Sequence, residues 1–412
     1  MPHTEITARH YATGQPLRLV CAEDRITVIE EAAVAPENLW LAPALVDLQV
    51  NGYGGVDFQQ DGLTLDELLH ATRQLRAAGC ATWLLTLITD EWAKLTARLR
   101  HLRALRAQSA ELQQAIAGWH IEGPFLSAEP GFHGAHPPAF MLDPTPAHVH
   151  ELREITGADP LLLTLAPERK GAIEAIALAA SFGMKISLGH TDASAVVLKE
   201  AVAAGATGFT HLANGCPREL DRHDNILWRV LELASRSSQR EEAPFRDRRS
   251  EVRSQIKHQS FLASAGTEER RGLTVSLIPD GNHVSPAPFR LFHRLLDSAA
   301  IYYTTDAMAA AGAGPGRFRL GALEVEVGDD QIVRQPGKTN FAGSALRPID
   351  GVFRAAEMLG CSWQETWRRA SESPAKFMGL GEPADWCLVE FDKSNDCDAL
   401  VSLTVLRGPA KA

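Results

Sequence analysis

Eight short apolar runs punctuate the chain: "ALVDLQV", "ATWLLTLIT", "AGWHIEG", "LLLTLAPE", "KISLGH", "GFTHL", "LTVSLIP" and "IYYTTDA". Most are separated by segments in which apolar positions recur every three to four residues. In "TLDELLHATRQLRAAG", Leu65, Leu68, Leu69 and Leu75 share one side and a glycine closes the pattern, as also in "DASAVVLKEAVAAG". Strands that alternate with helices run parallel, and near-continuous apolar strands are buried on both faces. Eight of them predict a (β/α)8 TIM-like barrel over 43–379. The stretches before Leu41 and after Gly381 alternate apolar and polar residues, as half-buried strands do. They predict a small β-sandwich domain formed by the N- and C-terminal segments, 1–42 and 380–412. The fold class is therefore α/β.

One segment breaks the rhythm. Residues 235–272 hold few apolar positions, and nine Lys or Arg stand against six Asp or Glu. This predicts a solvated surface insertion between the sixth and seventh barrel strands, with a short helix around Val252 to Leu262. The mixed charge argues against a nucleic-acid arm, and so does the formal net charge of -10, because phosphate backbones are bound by basic faces. The six cysteines are scattered with no C-x-x-C pair, which predicts reduced thiols. "MPHTEITARHYATGQP" lacks the pattern of a secretory signal, and no apolar run approaches the ~18 residues of a membrane span. The expectation is a cytoplasmic protein with neither nucleic acid nor membrane as partner.

Candidate chemistry gathers at the strand ends: Gln49 and Asn51, Glu122, Glu168, His190, His211, Asp280 and His283, and Asp306. The C-terminal ends of barrel strands open on one mouth, so residues far apart in the chain converge there. In "GWHIEGPF", Glu122 tips a buried strand, and a buried carboxylate is costly unless it is paired or bound to a metal. Glu122 with His190 and His211 makes a three-ligand set for a catalytic divalent metal that leaves a position for water. His120 should face the same side as Glu122 by strand alternation and is read as a supporting or core residue. Asp306 is placed to act as general base, the alternative being a cap for the "AMAAAGA" stretch after it.

"VDLQVNGYGG", "HIEGPFLS", "GAHPP", "TLAPE", "SLGHTDA", "THLANGCP", "DGNHVSP", "TTDAMAAAG" and "FAGSAL" resemble, in order and spacing, the N-acetylglucosamine-6-phosphate deacetylases of the amidohydrolase superfamily. The resemblance runs from about Leu41 to about Gly379. It implies a metal-dependent hydrolase that converts N-acetylglucosamine 6-phosphate to glucosamine 6-phosphate and acetate in amino-sugar recycling. Glu122, His190 and His211 would bind the metal and Asp306 would be the acid/base. Gln49 and Asn51 stand where many amidohydrolases carry H-x-H, which implies one metal ion, zinc first, with iron or another divalent ion as alternatives. Gln49 would hold a water on the substrate side. His136 would polarise the acetyl carbonyl, with His133 in reserve. Asn214, Gly215, Arg222 and His283 would hold the phosphate, Arg222 reaching across from the neighbouring subunit of a homodimer. Two features depart from the family pattern: "HLANGCP" replaces the aromatic that many relatives carry after the His-Leu pair, which places Cys216 near the substrate, and the insertion follows closely on Arg222. Rival readings are a cyclic amidase or deaminase, which would need H-x-H and a bridging lysine, a deacetylase of a related N-acyl sugar, and a catalytically silent sugar-phosphate-binding barrel.

Overall fold

The computed structural model describes residues 3–235, 272–337, 341–392 and 399–409. Of the insertion expected at 235–272, only its two end residues fall within these bounds, and the helix expected around Val252 to Leu262 lies outside the described residues.

Four strands open the chain: β1 His3–His10, β2 Pro16–Ala22, β3 Arg25–Glu31 and β4 Leu39–Pro43. β5 Leu45–Val50 begins the barrel and is followed by the short pair β6 Gly52–Tyr53 and β7 Val56–Asp57. The barrel continues with β8 Cys80–Ile88, β9 Ile116–Glu122, β10 Leu161–Leu165, β11 Lys185–Leu188, β12 Gly208–Phe209, β13 Thr274–Leu277 and β14 Ile301–Tyr303. Then come β15 Gly316–Leu320, β16 Leu323–Val327 and β17 Val333–Arg334, and finally β18 Trp386–Asp392 and β19 Ala399–Leu406.

The eight barrel strands correspond one for one to the eight apolar runs and pair in chain order, all parallel. Every residue of β5, β10 and β14 is buried, as strands covered on both faces require. The intervening helices form for the expected reasons. Leu65–Ala77 starts at Thr64, whose hydroxyl caps the Glu67 amide while the Glu67 carboxylate returns to the Thr64 amide, and it buries Leu68, Ala71, Thr72 and Leu75. Each fully buried Leu or Ile contributes on the order of 2 kcal/mol to this core.

The two chain ends meet in a separate six-stranded sheet of order β19-β18-β4-β1-β2-β3, antiparallel except for the β1–β4 pair. Ala8, Leu19, Cys21, Ile26, Leu41 and Leu406 form its apolar cluster. Because Pro43 ends β4 and Leu45 begins β5, this sheet hands the chain straight to the barrel. A three-stranded antiparallel sheet, β15-β16-β17, follows Asp306 and was not anticipated from the eightfold rhythm. Its cluster of Leu320, Val325, Val327 and Val333 packs with Met308 and Ala309 and reaches Ile88 and Ala135, so it stands over one side of the barrel mouth. None of the described helices is long and apolar enough to cross a membrane.

Candidate active site

Glu122, the last residue of β9, sits at the centre of the mouth. Its Oε1 lies 2.9 Å from His211 Nε2 and 3.4 Å from His190 Nε2, and its Oε2 lies 3.7 Å from His136 Nε2 and 3.1 Å from the Gln49 amide nitrogen. All five side chains are buried. The same Gln49 amide donates to Asp306 Oδ1 at 2.9 Å, and the Asn51 amide donates to that oxygen at 2.7 Å. Two amide side chains thus lie between or beside two carboxylates, Glu122 buried and Asp306 partly buried.

Burial opposes ionisation of Glu122, but its bonds with His190 and His211 outweigh burial and hold the carboxyl well below the usual range. Asp306 has the bond from Asn51 and the nearby His211, which do not outweigh burial. Burial, reinforced by the Glu122 charge, pushes it up to about 7. Burial acts against protonation of His211, but the bond and charge of Glu122 prevail and raise it. His136 is held down to about 3 by burial and by the neighbouring His190.

The loop and strand ends fix these groups from behind. His190 Nδ1 donates to the Phe132 carbonyl at 2.8 Å, which fixes the ring with Nε2 towards Glu122. His136 Nδ1 lies 2.9 Å from Thr89 Oγ1 at the tip of β8. His190, His211 and Asp306 all have positive φ, at 51°, 30° and 51°, a conformation that costs a non-glycine residue on the order of 1 kcal/mol. The turns just after β11, β12 and β14 therefore store strain in order to aim these side chains inward.

The donor set fits a divalent cation. Glu122, His136 and His190 each offer a ligand atom within 4.8 Å of the others, and His211, outside that group of three, places Nε2 2.9 Å from Glu122 Oε1.

The remaining candidates divide. Gly215, at φ +62°, brings its backbone so close to His190 that a Cβ there would lie 2.7 Å from Nδ1, and Asn214 bonds the His211 carbonyl at 3.2 Å. His283 Nδ1 is paired with Asp280 Oδ2 at 2.6 Å, and its ring lies 5.0 Å from that of Phe341. Arg222 is exposed and bonds His223, not any residue of this cluster. His133 Nδ1 bonds the His136 carbonyl and supports the loop. His120 has both ring nitrogens occupied, by Thr86 and Thr164, and belongs to the buried polar layer beneath the site. Glu168 is tied to Thr191 and the Asp192 amide, outside the group. The sequence reading missed Thr89 and the Phe132 carbonyl. Thr89 ends the apolar run "LLTLIT", so its place at a strand tip was the available signal; a main-chain carbonyl leaves none.

Comparison with known proteins decides the family. N-acetylglucosamine-6-phosphate deacetylase from Bos taurus is 30% identical over 361 residues, 85% of this chain and 78% of its own. The chain belongs to the N-acetylglucosamine-6-phosphate deacetylase family. N-acetylgalactosamine-6-phosphate deacetylase from Escherichia coli O157:H7 is 28% identical over 342 residues, 82% of this chain and 78% of its own. Among solved structures, a variant of N-acetyl-D-glucosamine-6-phosphate deacetylase from Mycobacterium smegmatis in complex with N-acetyl-D-glucosamine-6-phosphate superposes with a TM-score of 0.74 at 27% identity, covering 95% of this chain and 96% of that one. No family model matches the chain.

Proposed function

We propose that the chain hydrolyses N-acetylglucosamine 6-phosphate to glucosamine 6-phosphate and acetate at the cluster around Glu122. The observation that carries this reading is that cluster: a buried carboxylate ringed by imidazole nitrogens, with a second carboxylate linked to it through Gln49.

Glu122, His190 and His211 would hold one divalent cation, both imidazoles presenting Nε2 to Glu122 Oε1. Two imidazoles with one carboxylate suit zinc, with iron the alternative. When bound, such an ion supplies Lewis acidity towards a water and an amide carbonyl. His136 lies next to His190 and by Glu122 Oε2, the oxygen that also accepts from the Gln49 amide reaching Asp306. There it donates a hydrogen bond to the acetyl oxygen and stabilises the negative charge that develops on it, while Gln49 orients the attacking water. Asp306 takes a proton from that water and returns it to the sugar nitrogen as the C–N bond breaks. Asn214, Gly215 and His283 receive the substrate on the phosphate side. Arg222, exposed and bonded to His223, completes the phosphate site of a second copy, which makes the active form a homodimer. Residues 43–379 form the catalytic domain, 1–42 with 380–412 the small β-domain, and the enzyme works in the cytoplasm.

Asp306→Asn keeps the shape of the side chain and removes the base. The expected result is full metal content and loss of turnover by at least about 10³-fold. Turnover at the parental rate in this variant would remove Asp306 from the mechanism, and a parental chain that binds no divalent ion and releases no acetate would favour the silent sugar-phosphate-binding barrel.

A further inference from the structure

The barrel closes between its first and last strands almost without a backbone ladder. β5 and β14 are the two ends of the strand order, joined by the single bridge between Val50 and Ala307 and the Asn51 amide bonded to the Ala307 carbonyl at 2.7 Å. Below that bridge the connection is made by one buried side chain. Asp47, in the middle of β5, accepts from its own strand at the Gln49 amide, 3.1 Å from Oδ1. Across the seam it accepts from the Thr304 hydroxyl at 2.5 Å on Oδ1, and from the Thr305 amide at 3.1 Å and the Thr305 hydroxyl at 2.6 Å on Oδ2. The Thr305 hydroxyl in turn accepts from the Ala307 amide at 3.1 Å. Polar groups on both sides of Asp306 are thus tied, directly or through one hydroxyl, to a single carboxylate.

We propose that Asp47 is a positioning residue for Asp306, and through the same bonds for Gln49. It stands two residues before Gln49 and four before Asn51, the two side chains whose amides meet Asp306 Oδ1. Asp306 is held at a φ of 51°, from which an L residue relaxes readily unless its neighbours are fixed. A carboxylate suits this task because four donors converge on it, two amides and two hydroxyls. An asparagine has the same shape but presents an NH2 to one of these donor groups. The strand then stays packed while the bonds that hold the Thr304–Asp306 turn are broken.

The inference rests on Asp306 being the base, and its test keeps the two claims apart. Asp47→Asn, Thr305→Val and Asp306→Asn are prepared as metal-loaded full-length chains and compared with the parent. Metal per chain, thermal midpoint, and kcat and KM for N-acetylglucosamine 6-phosphate are measured. Asp47→Asn is expected to keep its metal and its KM and to lose about 10²-fold in kcat, the effect of a reacting group displaced by about 1 Å. Thr305→Val should move kcat in the same direction by a smaller factor, and it decides alone if Asp47→Asn does not fold. A folded, metal-loaded variant of either kind whose kcat is within about twofold of the parent overturns the inference, as does a loss of rate that only follows metal content. A parental rate in Asp306→Asn overturns the reading of the base instead.

Discussion

At the scale of single residues, the site is set by how burial and neighbours act together on two carboxyls. Glu122 has imidazole nitrogens against it and stays ionised, whereas Asp306 has amide donors and a nearby negative charge and is pushed up to about 7. This has a consequence for stability. In protein stripped of metal, Asp306 binds its proton more tightly folded than unfolded, where its value is 3.8. Its contribution is therefore fully present below the unfolded value and is lost as pH rises through the folded value near 7. The chelated protein is expected to lose thermal stability between about pH 4 and pH 7 from this group, and Asp306→Asn to lack that part of the decline. Melting curves of both chelated proteins across that range would decide it, and identical profiles would contradict it. The group itself was legible in the sequence, because Glu122, His190, His211 and Asp306 each stand at or just past the end of an apolar run. The partners that orient them were not. Thr89, Thr304 and Thr305 look like ordinary strand-end threonines, and their roles come from bonds to residues dozens to hundreds of positions away.

At the scale of elements, strand tips and the turns beyond them do the aiming. The glycines at the mouth serve close approach: Gly134 and Gly215 flank the His190 ring, and a Cβ on either would come within 2.9 Å of it. Gly215→Ala is expected to push the ring off its bond with the Phe132 carbonyl and to strain a backbone held at φ +62°. Metal affinity should fall by about 10-fold or more, as for the loss of an orienting partner of a ligand. Competition with a chelator would measure it, and unchanged affinity would show that His190 is held by other means. Periodicity predicted the eight strands because each is buried on both faces and so is apolar throughout. The β15–β17 sheet escaped because its strands, such as "GRFRL" and "LEVEV", alternate but are only five residues long or shorter, and they lie in a stretch assigned to the end of the barrel.

At the scale of the whole molecule, the barrel brings residues from positions 49 to 306 to one mouth, and the two chain ends share one sheet beside it. Arg222 is the residue that this single-chain arrangement leaves outside its own cluster. If it serves a second copy, Arg222→Ala should raise KM for the phosphorylated sugar by roughly 10- to 100-fold, the loss of one charged phosphate contact, and leave kcat nearly unchanged. A parental KM would assign the phosphate to Asn214, Gly215 and His283 alone. The central claim is tested most directly by acetate release from N-acetylglucosamine 6-phosphate by metal-loaded protein, with N-acetylgalactosamine 6-phosphate and unphosphorylated N-acetylglucosamine run beside it. Rapid release from the first, weaker release from the second and little from the third is the predicted result. No release from any of the three by protein with its metal bound would contradict the account.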